Sequence, residues 1–131
     1  MYVPKGFGTV FPYMIVNAVD DLLSFFIQVF EAKELGRTVS NDRIANLQVQ
    51  IGNSKFMMSE AGPGGMQAMP GTYYVYVEDV DKTFAKALSC GATEVFGPAD
   101  MPYQDRQAGI IDPSGNYWWI SRRLVEEPYD S

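Results

Sequence analysis

Val19, Leu22, Leu23, Phe26, Ile27 and Phe30 recur three and four positions apart, the spacing that gathers them on one face of an α-helix. The residues before them, Thr9 to Val16, are mostly apolar and aromatic and predict a strand that feeds this helix. Asn17 or Ala18 precedes the helix, Asn17 is placed to accept hydrogen bonds from the first-turn amides, and Asp20 complements the positive end of the helix dipole, so the helix is predicted to start near Asn17. Three further strands are predicted at Glu34 to Ser40, Arg43 to Ile51 and Ser54 to Glu60. In the middle one Leu47, Val49 and Ile51 alternate with Asn46, Gln48 and Gln50, the period of a sheet with one face on a core. This half reads βαβββ.

Ala61 to Gly71, rich in Gly, Pro and Met, breaks both periodicities and reads as a flexible linker or surface loop. The pattern then begins again. Thr72 to Glu78 is a Tyr- and Val-rich strand, and Asp79 is a good N-cap. Val80, Phe84, Ala87 and Leu88 form a helix stripe that Gly91 can close in a left-handed conformation. Strands near Glu94 to Phe96, Arg106 to Ile111 and Tyr117 to Arg122 complete a second βαβββ. Val19-Asp20 recur as Val80-Asp81, 61 positions on, and Gly52-Asn53 as Gly115-Asn116, 63 positions on, as tandem duplication would leave them.

A chain of 131 residues with this pattern suits one domain, with a first module over about 9–61, a linker over 62–71, a second module over about 72–124 and a tail over 125–131. Sixteen acidic against ten basic residues give a formal charge of −6, which offers no attraction to a phosphate backbone or an anionic bilayer. Nucleic acid and membranes are therefore not expected partners. No apolar run approaches the ~20 residues of a membrane span, and Met1 to Gly8 has no signal-peptide core, so a cytoplasmic location is expected. The lone Cys90 excludes an intrachain disulfide framework, and with no imidazole base to activate it, it reads as packing. The most informative count is histidine, which is zero.

Over roughly Thr9 to Leu124 the chain resembles the glyoxalase/bleomycin-resistance/dioxygenase, or vicinal oxygen chelate, superfamily. The residues that carry the likeness are Phe25-Phe26 with Phe30-Glu31-Ala32, Tyr74 to Asp81, Gly91-Ala92-Thr93, Asp105-Arg106 and Asp112 to Ile120. The resemblance implies an α+β fold in which two tandem βαβββ modules form a curled mixed sheet around a cleft, with helices outside. It also implies a homodimer and, in enzymes of the superfamily, a divalent metal held by His and Glu from the first and last strand of each module.

Counted from the helix motifs and from Gly115-Asn116, those ligand positions fall here on Phe11, Thr72, Phe56 and Trp119, and Asn46 and Asn116 stand where some relatives add a histidine. None suits a transition metal, so neither metal nor other cofactor is expected. An all-oxygen site from Glu60, Asp105 or Asp112 is the alternative. Phe and Trp at ligand positions turn a cation site into an apolar, aromatic one. By strand alternation Phe11, Tyr13, Phe56, Met58, Tyr74, Tyr76, Tyr117 and Trp119 would share the concave face, with Asn46, Gln48 and Gln50 adding amides and Met66 and Met69 a lid. Thr72, Tyr103 and Arg106 complete the candidate ligand-binding set.

Each of these has a plainer reading. Aromatics in strands are often ordinary core, Asp112-Pro113-Ser114-Gly115 is first of all a turn, and Asp105-Arg106 can be a surface ion pair as well as a substrate clamp. Three functions follow: a metal-independent protein binding a planar or partly apolar organic ligand; an enzyme, either a metal-free lyase or isomerase using Tyr103, Glu60 or Asp105-Arg106 as acid and base or an oxygen-ligated metal enzyme of the glyoxalase or dioxygenase type; and a degenerate structural dimer.

Overall fold

The computed structural model describes residues 2–129 and separates into two compact units, with the break between Pro70 and Gly71. The first contains β1 (Tyr13–Val16), α1 (Val19–Phe30), β2 (Lys33–Ser40), β3 (Arg43–Ile51) and β4 (Ser54–Glu60). The second contains β5 (Thr72–Tyr76), α2 (Val80–Ser89), β6 (Thr93–Asp100), β7 (Asp105–Ile111) and β8 (Tyr117–Arg123). Each unit is a four-stranded mixed sheet, ordered β1-β4-β3-β2 and β5-β8-β7-β6, whose first strand runs parallel to its last while the other pairs are antiparallel. The α+β fold of tandem βαβββ modules expected from the sequence is therefore present. No helix among the described residues is long and apolar enough to cross a membrane.

In the first unit, Val19, Leu22, Leu23, Phe25, Phe26, Val29 and Phe30 of α1 are buried. They face a layer built from Met14, Val16, Leu47, Val49, Phe56 and Met58, where Phe26 meets Phe56 edge-on at 6.0 Å. The buried stripe is broader than the sequence spacing suggests, taking in Phe25 and Val29 and leaving Ile27 exposed. The helix starts at Val19, close to the expected place. Ala18 is the N-cap, left-handed at φ 56°, with no side-chain cap, and Glu60 from the end of β4 accepts from the Val19 amide at 3.3 Å. A distant carboxylate thus satisfies one first-turn amide.

The first strand is shorter than Thr9 to Val16. Pro12 has no N–H for a ladder, although its carbonyl accepts from the Met57 amide at 3.1 Å, and pairing begins one residue later. Phe11 therefore lies outside β1 and packs on Phe7, centroid to centroid 4.9 Å. The segment after β4 has no regular structure, as expected, but it is tied down: Arg43 donates to the carbonyls of Glu60 at 2.9 Å and Pro63 at 2.5 Å.

In the second unit Asp79 caps α2 as expected, accepting from the Lys82 amide at 3.0 Å, and Val80, Phe84 and Ala87 are buried. β6 runs past Phe96 to Asp100 because it is an edge strand, where Pro98 can be absorbed by an irregular register between Phe96 and Ala99.

Candidate functional site

Strand register sorts the second sheet into two faces. Tyr73, Val75, Ala108, Ile110, Trp118 and Ile120 lie on the side of α2. Tyr74, Tyr76, Asp105, Gln107, Gly109, Tyr117, Trp119, Ser121 and Arg123 lie on the other, with Tyr74 opposite Trp119, Tyr76 opposite Ser121 and Asp105 opposite Arg123. On that second face a pocket of about 400 Å³ is lined by Tyr74, Tyr76, Tyr103 and Tyr129. These four tyrosines are 44–57% exposed. Tyr117 and Trp119 stack beside one another on the same face, 4.1 Å between centroids.

Polar groups beneath the rings are organised around Asp105, which is fully buried. Its Oδ2 accepts from the hydroxyls of Tyr74 at 2.5 Å and Tyr129 at 2.7 Å, and its Oδ1 accepts from the Arg123 guanidinium at 3.2 Å. Burial pushes the Asp105 carboxyl up, but the hydrogen bonds from Tyr74, Tyr129 and Arg123 outweigh it and hold the group below the usual aspartate range. Burial, and then donation to Asp105, raises Tyr74, so it stays a phenol donor at neutral pH. Tyr129 is raised further, by burial and by its bonds with Tyr76 and Asp105. A second chain runs from the Tyr103 hydroxyl to Gln107 and from Gln107 Nε2 to Ser121 Oγ at 2.7 Å.

Tyr74, Tyr76 and Tyr103, named from sequence, come together in this pocket, and Tyr117, Trp119 and Thr72 share its face. Arg106 does not. Consecutive strand residues point to opposite faces, so Arg106 turns toward α2, where it pairs with Asp81 at 2.8 Å and Asp100 at 3.0 Å. Asp105 instead pairs with Arg123, three residues past the Asp112 to Ile120 segment that carried the resemblance. Tyr129 lies in the stretch expected to be a tail, and composition gives no signal for it. Gln107 and Arg123 were findable by continuing the alternation through Asp105 and Trp119.

In the first unit Tyr13, Asn46 and Gln48 lie on the face away from α1, together with Met57, whose sulfur accepts from Asn46 Nδ2 at 3.4 Å. Phe56 and Met58 do not join them. Both are core beneath α1. The reason is a turn-length difference. Only Gly52-Asn53 separate Ile51 from Ser54, whereas residues 112–116 separate Ile111 from Tyr117, so the two Gly-Asn pairs are not equivalent positions. Tyr13 pairs with Met57 as Tyr74 pairs with Trp119, which makes Met57 the counterpart of Trp119.

The donor set does not fit the divalent metal of the superfamily's enzymes. There is no imidazole in the chain, and among the described residues no three His, Cys, Asp or Glu side chains gather as a metal site. The carboxylates considered for an all-oxygen site have other partners. Glu60 caps α1, Asp105 serves Tyr74, Tyr129 and Arg123, and Asp112 accepts from the amides of Ser114 and Asn116 and from Trp118 Nε1.

Residues 8–120 match the family model of the Glyoxalase/Bleomycin resistance protein/Dioxygenase superfamily. An uncharacterized protein of Mycobacterium bovis is 28% identical over 130 residues, covering 91% of this chain and 86% of that one, and one of Mycobacterium tuberculosis is equally identical, with 76% of its length covered. Among solved structures, TioX from a Micromonospora species superimposes with a TM-score of 0.72 at 24% identity, over 86% of this chain and 96% of its own. An Arabidopsis thaliana gene product gives 0.71 at 22% identity, over 88% and 99%. At these identities the likeness of structure concerns the fold.

Proposed function

Since the chain belongs to the glyoxalase/bleomycin resistance protein/dioxygenase superfamily, whose members often dimerise and bind small ligands, we propose that it is a metal-independent binding protein for a planar, partly apolar organic molecule. The observation that carries this reading is the tyrosine-lined pocket of about 400 Å³ on the open face of the second sheet. That size falls in the range of small-molecule sites, and the half-exposed rings of Tyr74, Tyr76 and Tyr103 supply stacking area beside it. Asp105 is a poor candidate for a general base here. Its carboxylate is already engaged and held below the ordinary range, whereas a base working near neutrality needs the opposite shift. The expected working form is a cytoplasmic homodimer.

The test is calorimetric titration of chelator-treated protein with a panel of planar aromatic compounds, in the wild type and in Trp119→Ala and Tyr76→Ala. Binding that survives chelation and weakens roughly tenfold or more in either variant supports the reading, in line with the loss of one aromatic contact. Stoichiometric transition metal in protein purified without chelator, or a panel in which no compound binds, would overturn it.

A further inference from the structure

Tyr129 sits on the site in a way that resembles a guest more than a wall. Residues 124–129 form neither helix nor strand, and what holds their end is Arg123, which donates to the carbonyls of Glu127 at 3.0 Å and Pro128 at 3.2 Å and lies 4.2 Å above the Tyr129 ring. The Tyr129 hydroxyl reaches the buried Asp105 Oδ2 at 2.7 Å and meets the Tyr76 hydroxyl. The same residue stays 44% exposed. A phenol is thus bound at both ends, its hydroxyl by a carboxylate and a second phenol and its face by a guanidinium, on a segment outside the regular secondary structure.

From this geometry we propose that Tyr129 occupies, as a tethered phenol, the place of the ligand's own phenolic ring, so that the pocket takes a hydroxyl-bearing aromatic that displaces residues 124–129. The proposal rests on the binding reading above and narrows it to a chemical class. Asp105, ionised and acceptor-only, favours a donor over an acceptor at the position of the Tyr129 hydroxyl. An analogue that lacks the hydroxyl forfeits one hydrogen bond to a charged acceptor, which sets the discrimination expected between the two. Displacement is feasible because Asp105 keeps Tyr74 and Arg123 when Tyr129 leaves. The tether supplies an effective concentration that a free ligand must outcompete, so removing Tyr129 raises affinity.

Titration calorimetry with 4-ethylphenol and with ethylbenzene, on wild type, Tyr129→Ala and Tyr129→Phe, decides it. The expected result is that Tyr129→Ala binds 4-ethylphenol roughly tenfold or more tighter than wild type does, and roughly tenfold or more tighter than it binds ethylbenzene, the factor for one hydrogen bond to a charged group. Tyr129→Phe falls between wild type and Tyr129→Ala, and if Tyr129→Ala does not fold, a gain over wild type in Tyr129→Phe carries the same decision. Equal affinity of the Tyr129 variants and wild type for 4-ethylphenol, or equal affinity for the two compounds, overturns the proposal. Should planar aromatics bind with dependence on Trp119 but not on a hydroxyl, this inference fails and the binding reading stands. Should nothing aromatic bind to any of the proteins, both fail.

Discussion

The Tyr74 hydroxyl donates to Asp105 Oδ2 at 2.5 Å, across two strands that are not neighbours, and so ties β5 to β7 over the top of β8. The acceptor is a fully buried carboxylate held below the usual range, which links this contact to acid stability. A group whose folded pKa is depressed contributes stability that is complete above its unfolded pKa, about 3.9 for aspartate, and is lost as pH falls through the folded value. Asp105→Asn is therefore expected to lower stability at neutral pH by about 2 kcal/mol, the scale for a hydrogen-bonded charged group, and the gap to wild type should close as pH drops below about 4. Urea midpoints measured from neutrality down to acid give the test. A gap that stays constant with pH would show that Asp105 does not contribute as a carboxylate.

Two arginines, one beside Asp105 in sequence and one beside it in space, have partners of very different exposure. Arg106 pairs with Asp81 and Asp100, whose side chains are 58% and 64% exposed, and ion pairs this open to solvent contribute little to stability. Arg123 neutralises a carboxylate with no exposure at all, and removing one partner of a buried pair costs about 3–5 kcal/mol. Thermal or denaturant unfolding should find Arg106→Ala close to wild type and Arg123→Ala strongly destabilised. Equal costs would contradict the assignment of the two side chains to opposite faces.

Those two arginines also show what the sequence could and could not disclose. The order of elements was readable because a helix stripe such as Val80, Phe84 and Ala87 has a different period from the Tyr- and Val-rich strand Thr72–Tyr76. Facing was readable only where the register was anchored inside a strand. Tyr74, Tyr76 and Trp119 do share one face of the second sheet, while Phe56 and Met58 lie in the core beneath α1, misassigned by Gly-Asn pairs that belong to turns of unequal length. A slip of one residue inverts every side chain. The pairing of Asp105 with Arg123 rather than Arg106 follows from the same alternation. Tyr129 was unreadable for a different reason: it is positioned by hydrogen bonds from Arg123 to main-chain carbonyls, which leave no periodic trace.

Gly109 faces the open side opposite Trp119, at a point where two rings from adjoining strands converge. A Cβ added there would lie 2.5 Å from Phe96 Cε1 and 2.6 Å from the Tyr117 hydroxyl oxygen. Its backbone is not left-handed, so the constraint is steric rather than conformational. Gly109→Ala is expected to cost about 1–3 kcal/mol, the range for overpacking, and to disturb the Tyr117–Trp119 stack. Pairing it with Phe96→Leu, which removes the nearest ring edge, should recover part of the loss. Near-ultraviolet dichroism reads the stack and denaturant unfolding the energy, and an additive double variant would remove the steric explanation.

Asp112 makes the strongest case for a residue that looks functional and is structural. Within the β7–β8 turn its Oδ1 accepts from the amides of Ser114 at 2.9 Å and Asn116 at 3.0 Å, and its Oδ2 accepts from Asn116 Nδ2 at 3.1 Å and Trp118 Nε1 at 2.8 Å. Asn116 in turn accepts from the Gly71 amide through Oδ1 at 2.9 Å, so one carboxylate sets the turn, orients the core indole and positions the entry to β5. Asp112→Ala leaves the buried Trp118 N–H and the Asn116 amide without that acceptor, and a loss of about 2–4 kcal/mol is expected from several unmade bonds of this kind. Asp112→Asn keeps an oxygen acceptor and should cost less. Ligand affinity, measured below the unfolding transition, should be unchanged in Asp112→Asn, because Trp118 and Asn116 serve the core and the turn while the pocket lies with Tyr74, Tyr76, Tyr103 and Tyr129. A fall in affinity without a fall in stability would return this turn to the binding site.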